Sequence, residues 1–148
     1  MASLTALATA EPAAANKAEV AIVIEGNDQM QFNVKAFEAV EGQTVRLTFK
    51  NVGKLPVEAM GHNVVILKAG EDKFAFAGKC ITPEAIKSGY LPTEQADKDK
   101  ILTHTKILGP GETDTITFTA PAAGEYQYLC SFPGHVGVMN GVMTVKAK

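Results

Sequence analysis

No block of Lys or Arg occurs anywhere in this sequence. Its 14 basic and 16 acidic residues leave a formal net charge of −2. Phosphate binding draws on clustered cations, so nucleic acid is excluded as a main partner. Long apolar runs are missing as well. None reaches the ~18 residues that a membrane-crossing helix needs, so no membrane span is expected. Cysteine is scarce, with only Cys80 and Cys130 present. At most one disulfide is therefore available to an exported chain, and Cys130 has a better use. There is no internal repeat. What is present fits one soluble globular domain: 148 residues, 46% hydrophobic and 20% charged, enough for a real core.

Residues 1–18 are rich in Ala and carry no alternation. They are expected to be a flexible tail or a processing remnant, with Ala6-Leu7-Ala8 and Ala8-Thr9-Ala10 resembling processing sites. No Lys or Arg precedes their weakly apolar start. The domain is taken as residues 19–148. From Glu19 the pattern has period two, with Val20, Ile22 and Ile24 on one face before the turn Gly26-Asn27-Asp28. Met30, Phe32 and Val34 alternate next and read as a strand. Val40–Gln43 is a turn, and Val45, Leu47 and Phe49 form one face of another strand. Asn51–Pro56 reads as a loop leading to His62, and Asn63–Leu67 as a short apolar strand. Ala69–Lys100 has more charge and less alternation. Within it, Thr82–Gly89 predicts a short helix: Thr82 is the N-cap, Pro83 opens the first turn and Gly89 is the stop. Gln95–Lys100 reads as a polar bend. Strand signals return at Ile101–Leu108, Thr113–Ala120, Glu125–Cys130 and Gly141–Val145. Short strands separated by turns, with one long helical connection, predict an all-β Greek-key sandwich with a helical flap.

The last turn concentrates the chemistry. Cys130, His135 and Met139 lie within ten residues, in a stretch punctuated by Pro133, Gly134 and Gly137. Such a stretch is a loop, and a loop can aim all three side chains at one point. Thiolate, imidazole and a weak thioether suit a trigonal, electron-transferring copper site. The second imidazole is expected from His62, in Gly61-His62-Asn63. A lone His62, Cys130 or Met139 would be an ordinary core residue, but their coincidence favours a metal. Zinc remains the competing ion, since Cys and two His suit it too, although Met is a poor zinc ligand. The backbone N–H groups of Asn63 and Phe132 are candidates to bond the thiolate sulfur. The Asn63 side chain is placed to tie the two ligand segments together. His104 lies in polar, strand-like company and reads as a surface residue. Cys80 has no His or second Cys nearby and reads as a packed or free thiol.

These stretches resemble the azurin-like blue copper proteins of the cupredoxin family. The resemblance is carried by Glu25–Asn33, by Met60-Gly61-His62-Asn63, by His104-Thr105-Lys106 with Gly109, and by Cys130–His135 with Met139. It runs from Val20 to Lys146. It implies about eight strands with the flap outside them. It also implies one copper ion on His62, Cys130 and His135, with Met139 and the Gly61 carbonyl as weak axial contacts. His104 matches a family position that is not a ligand. There are departures. Val20 and Gln43 stand where the family's disulfide would be, Val64 where it has a buried Trp, and Asn51 where it has a titrating His. The flap is a few residues longer. The Ala-rich start resembles the tethers of membrane-anchored relatives, but no lipidatable Cys lies near it, so anchoring is not supported.

The function expected is single-electron shuttling between redox proteins through Cu(II)/Cu(I), in the periplasm or otherwise outside the cytoplasm. No enzymatic activity is expected, because the protein ligands leave no open position and no general base accompanies them. His135 sits in the turn and is the expected electron exit. Leu55, Pro56, Met60, Phe132, Pro133, Val136 and Val138 are candidates for an apolar docking patch around it, suited to weak, transient encounters of a monomer. Two alternatives use the same fold. A copper carrier or buffer would need the same ligands but no useful potential. An interaction module without metal would survive loss of His62 or Cys130.

Overall fold

The period-two pattern forms strands where the structure, a computed structural model describing residues 19–148, places apolar faces against one another. Eight strands are present among these residues. They are β1 (Glu19–Gly26), β2 (Ala36–Val40), β3 (Thr44–Asn51), β4 (Val65–Leu67), β5 (Ile101–His104), β6 (Thr113–Thr119), β7 (Gly124–Leu129) and β8 (Asn140–Lys146). One sheet has the order β1-β3-β6 and the other β2-β8-β7-β4-β5. The β1–β3 and β2–β8 pairs are parallel; the other pairs are antiparallel. Ile24, Val45, Leu47 and Phe49 from one sheet meet Ile66, Tyr128, Met143 and Val145 from the other in a shared core. Phe32 sits between them, edge-on to Phe49 at 5.8 Å and tilted to Tyr128 at 5.7 Å. Aromatic pairs of this geometry add directional attraction to simple burial.

Several segments differ from the sequence reading. Met30–Val34 is not a strand; Phe32 makes only an isolated bridge to Gly26. The cause is local. Asn27 Oδ1 accepts the N–H groups of Gln29 and Gln31, and Met30 is left-handed at φ 59°. An Asx-type turn wins over the apolar alternation. The strand forms instead at β2. Strand β5 stops at His104, because Thr105 turns inward to accept the Val64 N–H. The loop before His62 ends in one helical turn, α1 (Val57–Met60).

The flap carries more helix than expected. It holds α2 (Lys73–Lys79), α3 (Pro83–Lys87) and α4 (Gln95–Lys98), the last replacing the polar bend. Asp72 caps α2 through Ala75 N–H, and Thr82 caps α3 through Ala85 N–H as its sequence implied. Phe76, Ala77 and Cys80 pack with Val65, Leu67 and Leu129 in a second, smaller core under the flap. This core lies directly behind the Cys130 end of β7, so the flap bears on the site. No helix among the described residues is long and apolar enough to cross a membrane. Residues 1–18, expected as tail or remnant, lie outside the described residues.

Candidate metal centre

Strand β7 delivers Cys130 at its end, and the following loop folds back on it. Cys130 N–H donates to Met139 O at 3.1 Å, while Met139 N–H donates to His135 O at 2.8 Å. His135 N–H bonds Phe132 O at 3.1 Å. These bonds close a compact loop whose three functional side chains point inward. His62 arrives from the other side, between α1 and β4. It is held by a two-way bridge to Leu108, with N···O distances of 3.2 and 2.7 Å. Buried Asn51, at the position the resemblance gives to a titrating His, donates from Nδ2 to that same Leu108 carbonyl at 2.9 Å. Here Asn51 is a strut for the His62 segment.

The donor atoms of His62, Cys130 and His135 lie within 4.8 Å of one another, and all three residues are buried. Cys130 Sγ is 3.5 Å from His135 Nδ1, 3.9 Å from His62 Nδ1 and 3.9 Å from Gly61 O. Met139 is fully buried. A Cβ placed on Gly26 would lie 2.9 Å from Met139 Cε and 3.3 Å from His62 Cδ2. Met139 and His62 therefore share a seat that only glycine leaves open.

The protonation pattern fits a metal. His62 Nε2 lies 2.8 Å from Asn27 O, an atom that only accepts, so Nε2 carries the proton. Neutral His62 then turns the bare lone pair of Nδ1 toward Cys130. Burial lowers the His62 pKa, against the opposing pull of the Asn27 carbonyl and Asp28. Burial, and secondarily His62, push His135 down to about 4. Both imidazoles are neutral at pH 7 and free to donate lone pairs. Burial pushes the Cys130 thiol up to about 12, while the backbone N–H groups of Asn63 and Phe132 oppose the shift. A buried thiol of this kind ionises when a cation replaces its proton. One thiolate and two neutral imidazoles beside a thioether are the donor set of copper. Buried Met139 disfavours the zinc reading.

Supporting contacts come partly from residues the sequence reading named. Asn63 Oδ1 accepts Ser131 N–H at 2.8 Å, and Asn63 Nδ2 donates to Ser131 Oγ at 2.9 Å. The two ligand segments are tied as expected. Three contributors were not foreseen: the Asn27 carbonyl, Ser131, and Tyr90 from the flap. Asn27 sat in a recognised turn and Tyr90 beside a recognised helix stop, but neither signal pointed to the site. His104 is exposed, lies outside the donor cluster and donates from Nδ1 to Thr105 O. Cys80 is a fully buried free thiol, 3.4 Å from Phe76 O.

The proposed patch residues are not equivalent. Leu55, Pro56 and Val138 are exposed, and Met60, Pro133 and Val136 are half-buried. Phe132 is a correction, because it is only 8% exposed. Its ring lies between Tyr90 and His135, at 4.8 and 4.7 Å, so packing inside the molecule takes the surface a partner would need.

A two-sheet sandwich with a Cys–His–His–Met cluster at one end defines a blue copper protein of cupredoxin fold, a class that transfers electrons. Comparison with known proteins agrees. The family model for copper binding proteins of the plastocyanin/azurin family matches residues 18–146. Azurin of Pseudomonas fluorescens biotype C is 38% identical over 134 residues, covering 87% of this chain and all of that protein. Azurin of Alcaligenes faecalis is 36% identical over 132 residues, covering 82% and 94%. Among solved structures, dithionite-reduced auracyanin of Roseiflexus castenholzii aligns with a TM-score of 0.69 at 40% identity, over 84% of this chain and 95% of that one. Auracyanin A of Chloroflexus aurantiacus, described as a "blue" copper protein, aligns with a TM-score of 0.73 at 33% identity, over 86% and 99%. The chain belongs to the plastocyanin/azurin family of copper-binding proteins.

Proposed function

We propose that this chain shuttles single electrons between redox proteins and holds one copper ion on His62, Cys130 and His135. Met139 and the Gly61 carbonyl would hold it more weakly from beside that set. One observation carries the assignment: a buried thiol faces two neutral imidazole nitrogens at 3.5 and 3.9 Å. When bound, copper supplies a one-electron Cu(II)/Cu(I) couple that thiolate and imidazole serve in both states. The chain's own residues supply rigidity. Asn63 and Ser131 lock the two ligand segments together, and the Leu108 bridge holds His62. Donors that move little when charge changes favour fast transfer.

His135 is the electron exit in this reading. Of the two imidazoles only His135 keeps any exposure, and its backbone carbonyl accepts the N–H of exposed Val138. Leu55, Pro56 and Val138 are the exposed members of the proposed docking patch, with Met60, Pro133 and Val136 at half burial. A small apolar patch suits brief encounters with a donor and an acceptor protein. The functional domain is residues 19–148, acting as a monomer in the periplasm or another exported setting. In this reading it performs no catalysis of its own, because all donor positions come from the protein and, among the described residues, no base stands beside them.

The test is a visible spectrum with one equivalent of Cu(II), repeated on Cys130→Ser. We expect an intense blue band that bleaches reversibly with a reductant and is absent in the variant. A colourless wild-type protein, or a weak band indifferent to Cys130, refutes the proposal and favours the copper-buffer reading.

A further inference from the structure

Tyr90 has a backbone conformation that its side chain does not favour. Its φ is 65°, directly after Gly89 at 76°. Two successive left-handed residues at the end of α3 turn the chain sharply. Glycine accepts this region at no cost, but an aromatic residue does not. Such strain persists only where surrounding contacts over-determine it. Three contacts hold Tyr90 in place. Tyr90 N–H donates to Ala85 O at 2.8 Å, which closes the end of α3. The Tyr90 carbonyl accepts Ser131 Oγ–H at 2.6 Å. The Tyr90 ring packs on Phe132 at 4.8 Å, and Phe132 packs on His135 at 4.7 Å. Ser131 and Phe132 immediately follow Cys130.

We propose that Tyr90 is a positioning residue of the metal centre, through which the flap clamps the loop carrying Cys130 and His135. The clamp has two jaws. The carbonyl fixes Ser131, which Asn63 also holds from the His62 segment. The ring holds Phe132 against the His135 imidazole, so that Nδ1 keeps facing Cys130 Sγ. Three segments distant in sequence then meet at one hydroxyl: His62-Asn63, Cys130–His135, and the flap. This gives the flap a role beyond covering the small core. Movement of the flap would be felt as movement of His135. The inference rests on the copper reading above and extends it to a residue outside the ligand set.

The test compares wild type with Tyr90→Phe, Tyr90→Asn and Tyr90→Leu. Phe keeps the ring and the carbonyl. Asn removes the ring but tolerates left-handed backbone, which separates the loss of stacking from backbone strain. Three readouts are the charge-transfer band with the EPR hyperfine splitting of the Cu(II) form, the rate of copper loss to a chelator, and the NMR order of the His135 ring in the copper-free protein. Y90F should match wild type. Y90N and Y90L should lose copper faster, by between about two- and twelve-fold, the range expected for one aromatic pair. They should also show an altered splitting and a more mobile His135 ring. A ring that only fills space would change thermal stability and leave the other readouts alone. Wild-type spectra, copper loss and ring order in both Y90N and Y90L overturn the clamp. If Y90L does not fold, Y90N still decides. A wild-type protein with no blue band would refute the electron-carrier reading instead, and the His135 ring order in copper-free protein would still judge the clamp.

Discussion

Asn63→Ala should be the most informative single change near the ligands, because it removes side-chain support and leaves every donor in place. Asn63 and Ser131 are both buried. The substitution deletes the bond from Ser131 N–H to Oδ1 at 2.8 Å and the bond from Nδ2 to Ser131 Oγ at 2.9 Å. The Ser131 N–H then has no partner, which costs about 1–3 kcal/mol for a buried donor. Ser131 Oγ loses one incoming bond but still donates to the Tyr90 carbonyl, so a smaller term of about 1 kcal/mol applies. We predict a loss of about 3 kcal/mol in the copper-free protein, or roughly 6–12 °C in Tm for a chain of this size. Urea unfolding followed by far-UV circular dichroism measures it. The Asn63 backbone N–H toward Cys130 survives the change, so the blue band should persist while copper is lost faster. A stability change below about 0.5 kcal/mol, typical of an unimportant surface site, would refute the account of Asn63 as the tie between the two ligand segments.

Two further outcomes follow from the site's geometry. The copper-free protein should lose stability as pH falls from about 6.5 to about 4. In that window the unfolded chain binds a proton at His135 that the folded chain refuses, since burial holds the folded group down to about 4. The loss is at most about 3 kcal/mol from this residue, with His62 adding in the same direction. Urea titrations at pH 7, 5.5 and 4 should show it, and a flat profile would contradict the burial argument. Gly26→Ala should disturb the site by crowding, because its Cβ would meet Met139 Cε at 2.9 Å, Phe49 Cζ at 3.0 Å and His62 Cδ2 at 3.3 Å. Overpacking of this kind costs about 1–3 kcal/mol, and the visible spectrum should shift along with Tm. An unchanged spectrum would mean that Met139 and His62 do not share that seat.

The ligand loop was legible because its geometry is local. Cys130, His135 and Met139 are close in sequence, and Pro133, Gly134 and Gly137 leave the loop little choice but to turn back. Strand faces were legible for a similar reason. Alternation has period two, so Val45, Leu47 and Phe49 must share a side, and the structure buries all three. The caps of α3 were readable from Thr82 and Pro83. Motif resemblance then supplied the family.

Other features are set by contacts that no local pattern encodes. The meeting of His62 with Cys130 spans 68 residues, and strand order places them together. Met30–Val34 alternates in sequence, but the Asn27 side chain takes the N–H groups of Gln29 and Gln31 into a turn, and the strand forms at β2, which the sequence reading passed over. Helices α2 and α4 are too short to be stable alone. Helix α2 exists because Phe76 and Ala77 pack on Val65, Leu67 and Leu129, and α4 is held by the buried Asp97, which pairs with Lys100. Phe132 looked like surface in a turn, but Tyr90 covers it from a segment about 40 residues away. The sequence alone determined the donor types, their loop and the sandwich class, since these depend on chemistry and short-range geometry. The tertiary structure decided which surfaces stay open and which backbone groups hold the ligands, because those depend on packing between segments far apart in the chain.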